Sequence, residues 1–356
     1  MGEGIIMPFN NEFIYNASKQ VRVSSVGSDF EQAKKLIMSA LEIVSKRTYY
    51  VSPTDVDIYI HGSYALDTNI YFPSNLEIVV ELKKTPSYDP DDLPHKKYRL
   101  FNNYFVETSF EFNPVDFSKA LFDALKELTG GNTTQREKFI HVPRQGSIKH
   151  NLEITPCFTF NYIEQDIPRK LSKQPGTPDF QSDTRIFRGV LLYDYKVKRH
   201  IFTFPKLHAR NGSAKDIATQ GNFIKMVRLF KTINKIGERE VNFDRTRGYF
   251  INCLLFNVPN ELFILDESSK SKKHPLVATG KGRSIKQMPG EDEAKIFFRI
   301  LNYLVNSDFA SYVCQNLVWE LFGLADEFWS IREAHTFVQN IKKFHDNFPA
   351  DRTVLA

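Results

Sequence analysis

The chain has only three cysteines, Cys157, Cys253 and Cys314, none of them in a CxxC pair and all in apolar surroundings. That gives neither a disulfide scaffold nor a paired-cysteine metal site, and buried thiols in a reducing compartment are expected. No apolar run approaches the roughly 18–20 residues of a membrane span, and no signal peptide opens the sequence. A cytoplasmic location without a membrane partner is therefore expected. Internal repeats and low-complexity tracts are absent. A large excess of charge of one sign is also lacking. A net charge of +5 suits a cleft for nucleotides, but it gives little support to a long track for single-stranded RNA. The only rich basic run is 270–286, so no obligate nucleic-acid partner is expected.

What is present is ordinary for a globular protein: 356 residues, 42% apolar and 25% charged. Ser28 to Glu31 reads as a capping box, and Phe30, Ala33, Ile37, Ala40, Leu41 and Val44 recur at helical spacing, predicting a helix over 29–46. Strands are predicted at 56–60 and 76–82, followed by a proline- and charge-dense loop at 83–98. A helix over 114–129 is closed by Gly130 and Gly131. Alternating segments follow near 145–149, 151–161 and 185–203. The second half reads as helices at 220–236, 246–256, 260–265, 291–306, 309–322 and 330–347, with a basic surface loop at 266–290. The fold class is α+β, a mixed sheet lobe followed by a helical lobe, with domains expected at 1–205 and 206–356 and a cleft between them.

The stretch that carries chemistry runs from His61 to Leu82. A Gly62-Ser63 turn is followed, twelve residues after the serine, by Asn75-Leu76-Glu77 at the head of an apolar strand. Side chains two apart on a strand share a face. Acids in that pattern can hold the divalent cations that neutralise reacting phosphates. Phosphoryl transfer asks a protein mainly to align the attacking hydroxyl with the phosphate and to place charge on the oxygens. A third acid from a neighbouring strand completes such a set. Glu153, in a short apolar strand before Pro156, is the best candidate; Asp67, Glu81 and Asp116 are less well placed. The plain alternatives are an ordinary turn at Gly62-Ser63 and an exposed strand carboxylate at 153.

The Gly-Ser turn with its acid strand resembles the polymerase-β-like nucleotidyltransferases. Further segments look more specifically like the bacterial cGAS/DncV-like nucleotidyltransferases, relatives of animal cyclic GMP–AMP synthase and oligoadenylate synthase. These are Thr155 to Phe158; Phe204-Pro205-Lys206-Leu207-His208 with Asn211, Gly212 and Lys215; Phe223 to Lys231; and Tyr249 to Pro259. The match spans roughly 28–340. The resemblance implies a bilobed enzyme, with a catalytic lobe over 1–205 and a helical lobe over 206–356. It further implies a magnesium-dependent synthase, with two Mg2+ per site and Mn2+ able to substitute. Such an enzyme joins nucleoside triphosphates, ATP among them, into a cyclic di- or trinucleotide. In bacteria such products serve antiphage defence by activating a separate effector.

Carried over residue by residue, Asn75, Glu77 and Glu153 are the catalytic and metal-binding set. Gly62 and Ser63 contact the donor triphosphate, and Arg228, with Lys225 and Lys231 as neighbours, reaches its phosphates. By the same resemblance Tyr249 stacks on a base, and Lys206, His208 and Lys215 line the acceptor side or order the crossover between lobes. For Lys225 and Lys231 a solvated basic stripe, for Tyr249 a core tyrosine and for His208 a structural histidine are the competing readings. One departure stands out: the family has an acid where Asn75 lies. Asparagine offers a carbonyl oxygen but no charge. It is open whether Asn75 is an engineered replacement that traps substrate, a natural variation in which one metal suffices or another acid substitutes, or the mark of a silent nucleotide- or RNA-binding relative.

Overall fold

The computed structural model describes residues 11–19, 26–70, 75–83, 112–165, 184–244, 246–266, 290–322 and 329–347. The expected loops at 83–98 and 266–290 fall almost wholly outside them. The chain forms two compact units: residues 23–61 with 74–207, and residues 1–22 with 62–73 and 208–356. Unlike a single cut at 205/206, this division groups residues 11–19 and 62–70 with the helical unit and leaves residues 206 and 207 with the sheet unit.

The sheet unit contains α2 (Val26–Arg47), β1 (Val56–Ile60), β2 (Leu76–Leu82), α4 (Pro114–Leu128), β3 (Thr134–Gln135), β4 (Ile140–Val142), β5 (Leu152–Gln165), β6 (Thr184–Asp194) and β7 (Arg199–Thr203). The seven strands pair in the order β1-β2-β5-β4-β3, with β6 on β5 and β7 on β6. β5 is long enough to serve two neighbourhoods. Its first half runs parallel to β2, and its second half pairs antiparallel with β6. Alternation sends Ile78, Val80, Leu82 and Ile154 to one face, all fully buried. Phe158 takes the same parity and meets Phe117 of α4 edge-on at 5.7 Å. The opposite face carries Glu77, Val79 and Glu81 of β2 beside Glu153, Thr155 and Cys157 of β5.

α4 begins as its sequence dictates. Asn113 accepts from the amides of Val115 and Asp116, and Asp116 accepts from the Asn113 amide, a reciprocal capping box with Pro114 at the first turn. The capping box expected at Ser28 is corrected, because α2 starts at Val26 and Ser28 lies inside it. Asp29 turns inward instead, to a role described below.

The helical unit holds α1 (Asn11–Ser18), α3 (Gly62–Ala65), α5 (entered from the sheet unit; Pro205–Ala218), α6 (Asn222–Glu240), α7 (Gly248–Phe256), α8 (Glu291–Val305) and α9 (Ile331–Asn347). α6 is its axis. Phe223, Met226, Val227, Leu229, Phe230 and Ile233 are buried on it, against one core shared by α1, α7, α8 and α9. Residues 260–265 make only a 3-10 turn, Asn260–Phe263. The helix expected over 309–322 does not form. That stretch is turns and isolated bridges, with Phe309 and Leu317 at positive φ, which an α-helix cannot accommodate. Among the described residues, no helix is long and apolar enough to cross a membrane.

Candidate active site

β2 and β5 lie parallel with Glu77 directly opposite Glu153. The expected strand pair thus brings its two carboxylates to one level of one face. β1 leads into the same level, where the His61 amide donates to the Glu77 carbonyl at 2.8 Å. Burial pulls the His61 imidazole down to about pKa 4, so it stays neutral at ordinary pH.

Asn75 sits just before β2, with its side-chain Nδ2 2.6 Å from Glu153 Oε1. Its Oδ1 accepts from Asn151 Nδ2 at 3.4 Å. Asn151 Oδ1 in turn accepts the Arg144 backbone N–H at 3.0 Å, and the Asn151 carbonyl accepts the Leu76 N–H at 2.9 Å. Behind Asn151, the buried carboxylate of Asp29 gathers three donors on one oxygen: the amides of Lys149 and His150, and His150 Nδ1 at 2.6 Å. A helix residue 120 positions away thereby fixes the loop from which Glu153 emerges.

Two rows along the same face lies a second charged group. Lys206 Nζ bridges Asp57 Oδ2 at 2.6 Å and Glu81 Oε2 at 2.8 Å, and lies 4.4 Å from the Tyr59 ring centroid. Glu81 is 1% exposed and also accepts from Thr159 at 2.7 Å and Arg188 at 3.1 Å. Burial alone would raise the Glu81 pKa; the hydrogen bonds from Lys206, Thr159 and Arg188 outweigh it and hold the group ionised. Lys206 is likewise shifted, down by burial but further up by Asp57 and Glu81.

The remaining sequence-predicted residues belong to the helical unit. Gly62 has φ +68°, a conformation glycine adopts without strain, and the Ser63 carbonyl accepts the Thr68 amide. Arg228 is 7% exposed. Its Nε donates to the Asp67 carbonyl at 2.6 Å and its Nη1 to the Ser18 carbonyl at 2.9 Å, so it ties α1 to the turn after Ser63. Lys231 donates to Thr68 Oγ1, and Lys225 pairs with Glu293 at 3.1 Å. Lys225 and Arg228 open on a cavity of about 370 Å3, where Lys19 and the acids Asp67, Asp216 and Glu293 balance their charge. Lys215 donates to the Val258 carbonyl, and burial lowers its pKa to about 8. Tyr249 bonds His208 through its hydroxyl at 2.7 Å and packs on Trp329, in the manner of a core pair.

Divalent cations need clustered oxygen donors. Glu77 and Glu153, opposite each other in register, bring two such donors to one level of the sheet. Among the described residues, no group of three or more His, Cys, Asp or Glu is placed to hold a metal ion. Sequence reasoning passed over Asp29, Asn151 and Arg188. Of these only Asn151 had a local signal, its position two before Glu153.

The chain is similar to known proteins in sequence and in fold. Residues 210–277 match the cGAS/DncV-like nucleotidyltransferase C-terminal helical domain. The cyclic nucleotide synthase CdnE01 of Staphylococcus haemolyticus is 25% identical over 321 residues, 88% of this chain and 93% of that protein. The cyclic UMP-AMP synthase of Rhodothermus marinus is 26% identical over 284 residues, 80% and 82% of the two chains. The solved structure of the Rhodothermus marinus CdnE c-UMP-AMP synthase with Apcpp and Upnpp superposes with a TM-score of 0.67 at 22% identity, covering 98% of this chain and 100% of that one. The Elizabethkingia meningoseptica CdnE cyclic dinucleotide synthase, solved with GTP and Apcpp, gives 0.64 at 19% identity over 94% and 98%. The fold and the resemblance read from the motifs are those these relatives carry.

Proposed function

We propose that this chain, which has the cGAS/DncV-like nucleotidyltransferase fold with that family's C-terminal helical domain, joins nucleoside triphosphates into a cyclic dinucleotide. The observation that carries the reading is the in-register pair of half-buried carboxylates, Glu77 and Glu153, on one face of the sheet, with Glu77 in the strand that follows Gly62-Ser63. The names of the curated relatives, all cyclic nucleotide synthases, support it.

Glu77 and Glu153 would hold a divalent cation, Mg2+ or Mn2+, which when bound offsets the charge of the triphosphate. Gly62 and Ser63 would contact the donor phosphates. Buried Arg228 shapes that turn by holding the Asp67 carbonyl rather than reaching phosphate itself. Lys206 keeps β1 and β2 in place through Asp57 and Glu81. Tyr249 and Lys215, both tied to protein partners, act in the same supporting way. The product would leave to activate a separate effector in antiphage defence, and the protein would work in the cytoplasm.

The test is product formation from the four nucleoside triphosphates with Mg2+ or Mn2+, for this chain and for Asn75→Asp. A cyclic phosphodiester product from either supports the proposal; none from both refutes it. A second reading, a silent nucleotide-binding relative, is favoured by one observation: Asn75 occupies Glu153 Oε1 with its amide. That reading requires triphosphate binding that does not change with a chelator, and no gain of activity in Asn75→Asp.

A further inference from the structure

The amide of Asn75 has a defined orientation, because the hydrogen bonds around it form a one-way relay. The relay starts at a backbone N–H, which can only donate. Arg144 N–H points at Asn151, so Asn151 must face it with Oδ1. That turns Asn151 Nδ2 toward Asn75, so Asn75 must answer with its own Oδ1. Asn75 Nδ2 is then left facing Glu153 Oε1, at 2.6 Å. Each side-chain amide has one acceptor end and one donor end, so fixing the first fixes the rest. The oxygen of Asn75 that could ligate a cation is therefore turned toward Asn151, which takes one of its two lone pairs, and away from Glu153. The atom that meets Glu153 is an N–H, doing for that carboxylate what a positive ion would do. Asp29 steadies the relay from behind, through the Lys149 and His150 amides next to Asn151.

We propose that Asn75, oriented by Asn151, is a hydrogen-bond donor to Glu153 and not a metal ligand, and that the site in consequence takes one divalent cation, between Glu77 and Glu153, where two are expected of the fold. Asn151 is a positioning residue in this scheme. The proposal rests on the nucleotide-site reading above, and it explains the asparagine as part of a wired arrangement. With an aspartate at 75, two carboxylate oxygens would sit where N–H and oxygen now meet. Such a contact needs a shared proton or a further cation.

The experiment counts cations directly. Mn2+ is titrated by electron paramagnetic resonance into the full chain saturated with α,β-methylene ATP. One Mn2+ per chain is expected with Asn75 in place and two for Asn75→Asp. Two with Asn75 in place, or one in both, overturns the proposal. A second measurement needs no nucleotide. In protein labelled with 15N-asparagine, the Asn75 side-chain amide is identified by its loss in Asn75→Asp. Its downfield proton is expected to move upfield in Glu153→Ala. In Asn151→Asp, which has no N–H to offer, the Asn75 amide turns to the new acceptor, and its signal no longer responds to position 153. An Asn75 signal unmoved by Glu153→Ala overturns the donor role. If the chain retains no nucleotide, the functional reading falls, and the amide signals still decide the role of Asn75.

Discussion

Removing Lys206 tests how the sheet face is held. In Lys206→Met the aliphatic stem still covers Tyr59, while the ammonium is lost from between Asp57 and Glu81. Glu81 is 1% exposed, so it cannot turn to water for replacement. Breaking a fully buried ion pair from one side costs about 3–5 kcal/mol. Two facts reduce that here. Lys206 is 44% exposed, which screens the pair, and Thr159 and Arg188 remain on Glu81. A loss of about 2 kcal/mol, typical of one hydrogen bond to a charged group, is therefore expected at pH 7. Native-state hydrogen exchange reads it locally: the slowest β1 and β2 amides should exchange about 30-fold faster, the equivalent of that energy. The pH dependence fixes the cause. With Lys206 present, the Glu81 pKa lies below its unfolded value, so its stabilisation is present above the unfolded pKa and is lost as pH falls through the folded one. Without Lys206 burial has less to oppose it and the folded pKa rises. The penalty is then full at pH 7 and shrinks toward pH 4, where the carboxyl is protonated. An effect below about 0.5 kcal/mol, or one equal at pH 7 and pH 4.5, would refute the reasoning, since surface ion pairs contribute that little.

Other perturbations have outcomes that thermal and urea unfolding can check. Gly62→Ala places a β-carbon on a residue at φ +68°, and should lower stability by about 1–2 kcal/mol, the cost of a left-handed conformation for an L-residue. Gly212→Ala would put its β-carbon 2.2 Å from Gln315 Nε2, which donates to the His208 carbonyl; forcing it aside should cost about 1–3 kcal/mol. Asp29→Asn can keep its one oxygen on all three donors but removes the charge that strengthens those bonds, and should cost about 1–2 kcal/mol, the difference between charged and neutral hydrogen bonds. His61, at about pKa 4 when folded, takes up its proton more readily when unfolded. Stability should therefore fall between pH 6.5 and pH 4 by up to about 3 kcal/mol, and His61→Gln should flatten that slope.

How far the sequence reaches is clearest in β2 and α9. Leu76–Leu82 and Ile331–Asn347 carry their period in every residue, so their limits could be read within a residue or so. The stretch 309–322 is as apolar as a helix, yet bridges Val313 to Glu320, because positive φ at Phe309 and Leu317 breaks any helical run. α5 shows the reverse. Pro205 suits its first turn, but Asn211 and Gly212 inside it weigh against a helix, and it forms because buried partners, among them Tyr249 for His208 and Gln315 for the His208 carbonyl, hold it. At the site, parity along one strand was enough to set Glu77 on the face opposite Ile78 and Val80, but the level of Glu153 depends on which residue of β5 faces which of β2. That register is fixed by Asn151 receiving the Leu76 amide and by Asp29, 120 residues away, holding the Lys149 and His150 amides. The same distance hides the chemistry of Asn75. Alone in a sequence it is an acid gone missing; beside Asn151, Arg144 and Glu153 it is a donor with one permitted direction. A side-chain amide carries no such direction until its neighbours are named, so the tertiary contacts, and not the motif, decide what position 75 does.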